Sequence, residues 1–123
     1  MLNLELARVG IYDIRPGEVA ELLDANMKSM RFNVLLLEPG DMRTINFHVS
    51  NTGNMAARLG DLKGVNPDPS TGVEVLWPAL DHLIVMPGQS AGPYSIIVLW
   101  NTHMQDVPSG SVYFEANIVY AQT

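Results

Sequence analysis

The sequence contains no cysteine, and it is also short of basic residues. Without thiols the chain has no disulfides, no thiolate metal sites and no cysteine nucleophile. Only 7 Lys and Arg stand against 13 Asp and Glu, which gives a net charge of −6. Nucleic acids and anionic membrane surfaces are bound by clustered Lys and Arg. The charge balance therefore argues against both as partners.

Long apolar runs are missing as well. No stretch approaches the roughly 18 residues that a transmembrane helix requires. Met1 is followed at once by a short alternating segment, without the basic start and apolar stretch of a secretory leader. Two expectations stay open: either the protein remains inside the cell, or Met1 replaces a leader that has been removed.

What is present suits one β-domain covering residues 1–123. The chain is long enough to bury a stable core without disulfide bonds. Of its residues, 47% are apolar. All basic residues lie in the first 63 positions, which leaves the second half purely acidic. Such an asymmetry would orient subunits head to tail in an assembly. The basic residues are Arg8, Arg15, Lys28, Arg31, Arg43, Arg58 and Lys63.

One phrase occurs twice in the chain. Residues 35–52 and 82–102 each consist of an apolar run, Pro-Gly with a polar residue, an alternating strand, and Asn-Thr. Proline favours the first corner of a β-turn and glycine supplies a positive φ at the second. The second copy is two residues longer, near Gly92 and Pro93. Two such units predict an antiparallel two-sheet sandwich of the immunoglobulin-like or jelly-roll kind.

Alternating apolar residues place the strands. The pattern predicts strands over residues 2–6, 31–37, 44–49, 73–77, 94–100 and 112–119, with a short one within 55–62. The total is about eight strands, separated by turn signals. Residues 17–30 are the exception, because Val19, Leu22, Leu23, Met27 and Met30 fall at helical spacing after Pro16. This segment predicts one short amphipathic helix, and residues 63–72 predict a loop.

Candidate catalytic and metal-binding residues are few. His48, His82 and His103 would form a site only by converging on a carboxylate such as Asp81 or Asp106, and no pair has the spacing of a zinc peptidase motif. No serine sits in a nucleophile elbow, and no glycine-rich phosphate loop occurs. The sequence predicts no enzyme activity and no cofactor.

Two weaker ligand sites remain open. The loop near residues 66–71 is rich in oxygen ligands, so Asp61 and Asp68 are weak calcium candidates. Exposed aromatic residues would form a platform for stacking sugars. For the two tryptophans, packing between the sheets is the alternative role. The aromatic candidates are Trp77, Tyr94, Trp100, Tyr113 and Tyr120.

Three segments carry a resemblance to a known family. They are LNLEL near the start, FNVLLLEPGDMRTINFHVSNTGN in the first copy of the phrase, and YFEANIVYAQT at the end. Together they resemble the TasA/camelysin superfamily, and archaeal thread and bundling-pilus subunits look similar. The matching features are an early apolar strand, a Pro-Gly-Asp turn at 39–41, a strand ending in Asn-Thr-Gly at 51–53, and a final strand ending near Gln122. The resemblance implies a secreted sandwich whose subunits polymerise by donating a terminal strand.

The leading hypothesis is a non-catalytic structural subunit of an extracellular or cell-surface filament, pilus or biofilm matrix. Leu2, Leu4 and Leu6 would fill a groove in the next subunit, so that backbone pairing closes an open sheet edge. On this hypothesis Leu4→Asp with Leu6→Asp leaves a folded monomer that cannot assemble. A virion capsid or tail protein is one alternative, since it uses the same sandwich without export. A glycan-binding module using Trp77 or Trp100 is another.

Overall fold

A computed structural model describes residues 1–23, 28–64, 72–101 and 110–123. These residues form strands and turns and no helix, so the predicted all-β class is confirmed. The strands are β1 (Leu4–Ile11), β2 (Val19–Leu22), β3 (Ser29–Leu36), β4 (Met42–Asn51), β5 (Ala57–Leu59), β6 (Lys63–Gly64), β7 (Val73–Leu76), β8 (Ile84–Val85), β9 (Ser90–Trp100), β10 (Gly110–Asn117) and β11 (Tyr120–Gln122).

The strands form three antiparallel sheets. Sheet A has the order β1-β4-β9-β7, sheet B has the order β2-β3-β10-β6, and sheet C has the order β11-β5-β8. Consecutive strands often belong to different sheets, as in a sandwich. β1 lies in sheet A, for example, while the strand that follows it lies at the edge of sheet B.

Period-2 alternation explains why these segments are strands. In β4 every second side chain is buried, from Arg43 to Asn51, and the residues between them face outward. β3 alternates in the same way. The inward-facing residues of sheets A and B, such as Phe47 and Phe32, join one hydrophobic core with residues of sheet C, such as Leu59. Each sheet thus buries one apolar face and exposes the other.

The repeated phrase forms two matching turns. In each, the residue before Pro accepts a hydrogen bond from the residue after Gly: Asp41 N to Glu38 O, and Gln89 N to Met86 O, both at 3.0 Å. Gly40 and Gly88 have φ values of 85° and 81°, as a type II turn requires. The predicted Pro-Gly turns are therefore confirmed.

Each of these turns also contacts the end of the strand that follows the other turn. Gly40 N donates to Trp100 O at 2.9 Å, and Gly88 N donates to Asn51 O at 3.0 Å. Trp100, not Asn101, therefore takes the place that Asn51 has in the first copy. The extra length near Gly92 and Pro93 is accommodated by a shift in the register of β9 against β4, between the pairs Phe47–Tyr94 and Val49–Ala91.

The helix predicted for residues 17–30 is wrong wherever that segment is described. Val19–Leu22 is strand β2, which pairs antiparallel with β3, Leu22 lying opposite Met30. Backbone pairing to β3 overrides the helical spacing of the apolar residues, and Ala20 and Leu22 pack on the core two residues apart. Residues 24–27, including Met27, lie outside the described residues.

A third Pro-Gly turn explains why that helix does not begin at Pro16. Glu18 N donates to Arg15 O at 3.0 Å, and Gly17 has a φ of 92°. The positive φ of Gly17 is incompatible with an α-helical turn. The same turn chemistry that begins β4 and β9 therefore begins β2.

Candidate functional site

Among the described strands, the first one lies at the edge of its sheet and pairs with β4 alone. β1 pairs antiparallel with β4, from Leu4 opposite Asn51 to Ile11 opposite Ile45. Its pairing slips between Ala7 and Gly10, where Arg8 adopts a φ of 52°. An open sheet edge of this kind is a place where another chain can pair.

The structure places the three predicted donor residues against the core of their own chain. Leu4 and Leu6 are 0% and 1% exposed, and Leu2 packs on the same core. Replacing Leu4 and Leu6 by Asp would therefore lower the stability of the folded monomer as well as that of any assembly, because both side chains belong to the core of their own chain. Their exchange between copies stays a prediction that requires a different test.

Asn3 ties the start of the chain to the end of β4 and to Lys28. Its carbonyl accepts Thr52 N at 3.1 Å and Gly53 N at 3.2 Å. Its side chain donates to Thr52 Oγ1 at 2.7 Å and accepts a hydrogen bond from Lys28 Nζ. A Cβ at Gly53 would overlap the Met1 carbonyl, so the close approach requires glycine here. The first residues are thus held by specific polar contacts as well as by burial.

Two ion pairs fix the loop between β1 and β2. The Glu18 carboxylate accepts hydrogen bonds from Arg43 Nη2 at 2.6 Å and Nε at 2.9 Å, and both side chains are almost fully buried. Arg43 also donates to the carbonyl of Asp13 at 2.8 Å. Arg15 contacts both carboxylate oxygens of Asp41, at 2.6 and 3.0 Å. Two residues of the loop, Arg15 and Glu18, are therefore each held by an ion pair to the start of β4.

The two carboxylates are held in their charged forms. Burial opposes the ionisation of Glu18, but hydrogen bonds from Arg43 and from the backbone N–H groups of Leu35 and Arg15 outweigh it and lower its pKa. The hydrogen bond from Arg15 lowers the pKa of Asp41 from 3.8 to about 2, with help from the N–H groups of Leu37 and Met42.

We expect Asp41→Asn to lower stability in a pH-dependent way. A carboxylate whose pKa is depressed by folding stabilises the native state above its unfolded pKa, near 3.8, and loses that effect as pH falls through about 2. The difference in melting temperature between the wild type and Asp41→Asn should be largest at neutral pH and shrink between pH 4 and 2. Thermal unfolding across this range measures it. A difference that stays constant with pH would contradict the assignment.

The predicted metal ligands do not form a cluster among the described residues. His82 is exposed with a φ of 53°, and Asp61 is exposed on a separate segment. His48 faces outward in β4 opposite Ala7, with a buried Nδ1 that has no hydrogen-bond partner. Nowhere in the described part of the chain do three His, Asp or Glu side chains converge as metal ligands. His103, Asp106 and Asp68 lie outside the described residues.

The tryptophans are packed and do not form an exposed row. Trp100 is only 4% exposed. Trp77 packs edge-on against Phe114, with ring centroids 6.1 Å apart. The ring centroids of Tyr94 and Phe47 are 5.6 Å apart, and the Lys28 ammonium lies over the Tyr120 ring, 5.2 Å from its centroid. Most of the predicted sugar platform therefore contributes to packing.

Tyr113 is the exception among these aromatics, since it is 56% exposed. It borders a shallow groove of about 220 Å³ on the outer face of sheet B. The Oδ1 atom of Asn33 lies buried beside it without a hydrogen-bond partner. Arg31 and Glu21 form an ion pair at the same groove.

Sequence reasoning missed the residues that anchor β1 and its loop. Glu18 and Asp41 each follow a Pro-Gly pair, and each accepts hydrogen bonds from an arginine. An acidic residue directly after a Pro-Gly turn is a signal that was present in the sequence. Its arginine partner is separated from it by more than 20 residues, so the pairing itself required the fold.

Comparisons with protein-family models, with curated proteins and with solved structures found no match. Within the described ranges, no helix combines the length and the apolar character that crossing a membrane demands.

Proposed function

We propose that this protein is a non-catalytic structural subunit that assembles with copies of itself by exchanging strand β1, in an extracellular or cell-surface filament or matrix. The observation that carries the proposal is the position of β1. It is the first strand of the described chain, it lies at a sheet edge that no other described strand covers, and it supplies Leu4 and Leu6 to the core. The resemblance of the sequence to the TasA/camelysin superfamily supports the same role.

The connection after β1 leads from one sheet to another. Strand β1 belongs to sheet A, whereas β2 and β3 belong to sheet B. Moving β1 to the sheet of a neighbour would leave the pairing of β2 with β3 intact. The same buried contacts would form again between two chains, which is why exchange of an identical element is a low-cost route to assembly.

A disulfide that locks β1 onto its own β4 tests the proposal. Glu5 and Ser50 lie directly opposite each other, and the wild-type chain has no other cysteine to interfere. Opposite residues in antiparallel strands are close enough for a disulfide. We expect Glu5→Cys with Ser50→Cys to form filaments when reduced, and to lose all filaments that survive dilution when oxidised. Negative-stain electron microscopy and light scattering measure this.

A second cysteine pair serves as the matched control. Asn46 and Ser95 are opposite each other in β4 and β9, which are not exchanged. Asn46→Cys with Ser95→Cys should assemble equally well in both redox states. Equal assembly of the oxidised and reduced β1 lock would refute strand exchange. A wild-type protein that stays monomeric at high concentration would refute the structural role itself.

The two alternatives are tied to different observations. A virion capsid or tail subunit would use the same assembly, and finding the protein in purified particles would favour it. Of the aromatic residues predicted to bind sugars, Tyr113 is the one that is more than half exposed, so a glycan-binding module would use the groove beside it. Only the groove favours this second function, so self-assembly remains the proposal.

A further inference from the structure

The outer face of sheet A carries an apolar patch at one end. Tyr12 N donates to Thr44 O, Thr44 lies opposite Ile97, and Ile97 lies opposite Leu76. In the neighbouring row Met42 lies opposite Leu99. Three of these side chains are at least half exposed, namely Tyr12 at 71%, Met42 at 52% and Leu76 at 50%. We call this the sheet-face patch, formed by Tyr12, Met42, Leu76, Ile97 and Leu99.

The other half of the same face is polar. Ser95 donates to Asn46 at 2.7 Å, and the hydroxyls of Ser50 and Ser90 lie 2.8 Å apart. Outward positions of a solvated antiparallel sheet are normally polar in this way. A contiguous apolar patch on such a face marks an interaction surface.

A second apolar surface lies at the opposite end of the β4–β9 pair. Leu83, Ile84 and Met86 are each nearly half exposed on and beside β8, an edge strand of sheet C. We call these three residues the edge patch. Met86 is the first residue of the turn that leads into β9, and this turn contacts the last residue of β4. Met42, in the sheet-face patch, is the first residue of β4. The length of β4 separates the two patches by about 30 Å.

One residue of each patch lies directly opposite a charged residue, and these two charges differ in sign. Glu74 lies opposite Leu99 in the sheet-face patch, and Arg58 lies opposite Ile84 in the edge patch. Two copies of a chain with a net charge of −6 repel each other, so the sign of the charges at a contact matters. Packing two sheet-face patches together would bring two Glu74 carboxylates close. Packing a sheet-face patch on an edge patch would bring Glu74 near Arg58.

We propose that the sheet-face patch of one copy binds the edge patch of the next, in a head-to-tail contact that positions successive subunits for exchange of β1. A contact between two different surfaces leaves one free patch on each end copy, so it adds further copies and builds an open filament wherever the rotation between copies does not close a ring. The inference rests on the proposed self-assembly, and it names the surfaces that bring the copies together.

Two complementary variants test the contact, both built on the oxidised Glu5→Cys with Ser50→Cys background, in which β1 cannot be exchanged. The first, Met42→Glu with Leu76→Glu, disables the sheet-face patch and keeps the edge patch. The second, Ile84→Glu with Met86→Glu, does the reverse. All four side chains are about half exposed, so the monomers should fold.

We expect each variant alone to sediment as a monomer and an equimolar mixture to form a 1:1 dimer that grows no further. Analytical ultracentrifugation measures this. Adding Glu74→Arg to the second variant should weaken the mixed dimer several-fold, and adding Arg58→Glu to the first should recover part of that loss. The control, Val19→Glu with Tyr113→Glu on the outer face of sheet B, should associate like its parent.

A mixture that stays monomeric would overturn the head-to-tail contact, as would either variant associating alone as strongly as the parent. If the unlocked wild type still forms filaments in that case, self-assembly through β1 stands and only the contact is wrong. If the unlocked wild type forms no assemblies, the proposed function fails instead. The two failures are therefore distinguishable.

Discussion

Glu18→Gln is expected to destabilise the protein by about 3–5 kcal/mol, because it leaves the Arg43 guanidinium buried without its counter-charge. The Glu18 side chain is 0% exposed and that of Arg43 is 7% exposed. The Glu18 carboxylate also accepts hydrogen bonds from the backbone N–H groups of Arg15 and Leu35, at 2.7 and 2.9 Å. Urea unfolding followed by circular dichroism measures the loss.

Glu21→Gln is the matched control for this prediction. Glu21 pairs with Arg31 across β2 and β3, but both side chains are more than 40% exposed. Exposed ion pairs contribute little because water screens them. Equal losses for the two variants would show that the Glu18 pair is no more important than a surface pair.

Asn51→Ala is expected to destabilise the protein by about 3 kcal/mol, because it removes the donor from the buried Val85 carbonyl and from the partly buried Met55 carbonyl. Its side-chain amide donates to Met55 O at 2.9 Å and to Val85 O at 2.8 Å, and its side-chain oxygen accepts Gly53 N at 3.0 Å. One side chain thus joins the end of β4, the following turn and β8. Thermal and urea unfolding measure the loss.

The repeat supplies the control for Asn51. Asn101 has the same place in the second copy of the sequence phrase, but its side chain bonds the exposed Glu74 carboxylate at 3.0 Å. We expect Asn101→Ala to cost much less than Asn51→Ala. Similar losses would mean that the two asparagines are equivalent in structure as well as in sequence.

The sequence predicted those parts of the fold that depend on local chemistry. Alternation in β4 and β9 and the turns at Gly40 and Gly88 follow from period-2 burial and from the need for a positive φ. The same turn rule applied to Gly17 would have excluded the helix. The spacing of Val19, Leu22 and Leu23 favoured a helix only because spacing alone ignores the pairing of β2 with β3.

The candidate surfaces were less predictable, because they depend on contacts between distant segments. Leu4 and Leu6 were found from alternation, but their burial beside β4 depends on the order of strands in the sheet. Tyr12, Met42 and Leu76 come together only through the register of four strands. The charge asymmetry of the sequence predicted a head-to-tail orientation of subunits, which stays a prediction, and it did not indicate which charged residues would meet.

The topology has a consequence for folding kinetics. Among the described pairings only β2 with β3 joins strands that are consecutive in the chain. Every other pair must close a long loop before its contacts form, and chains dominated by such non-local pairing fold slowly. A newly made chain would therefore expose β4 before its own β1 is in place. In a crowded population of nascent chains, that delay would give the first strand of a neighbour time to compete for the same edge, as the proposed exchange requires.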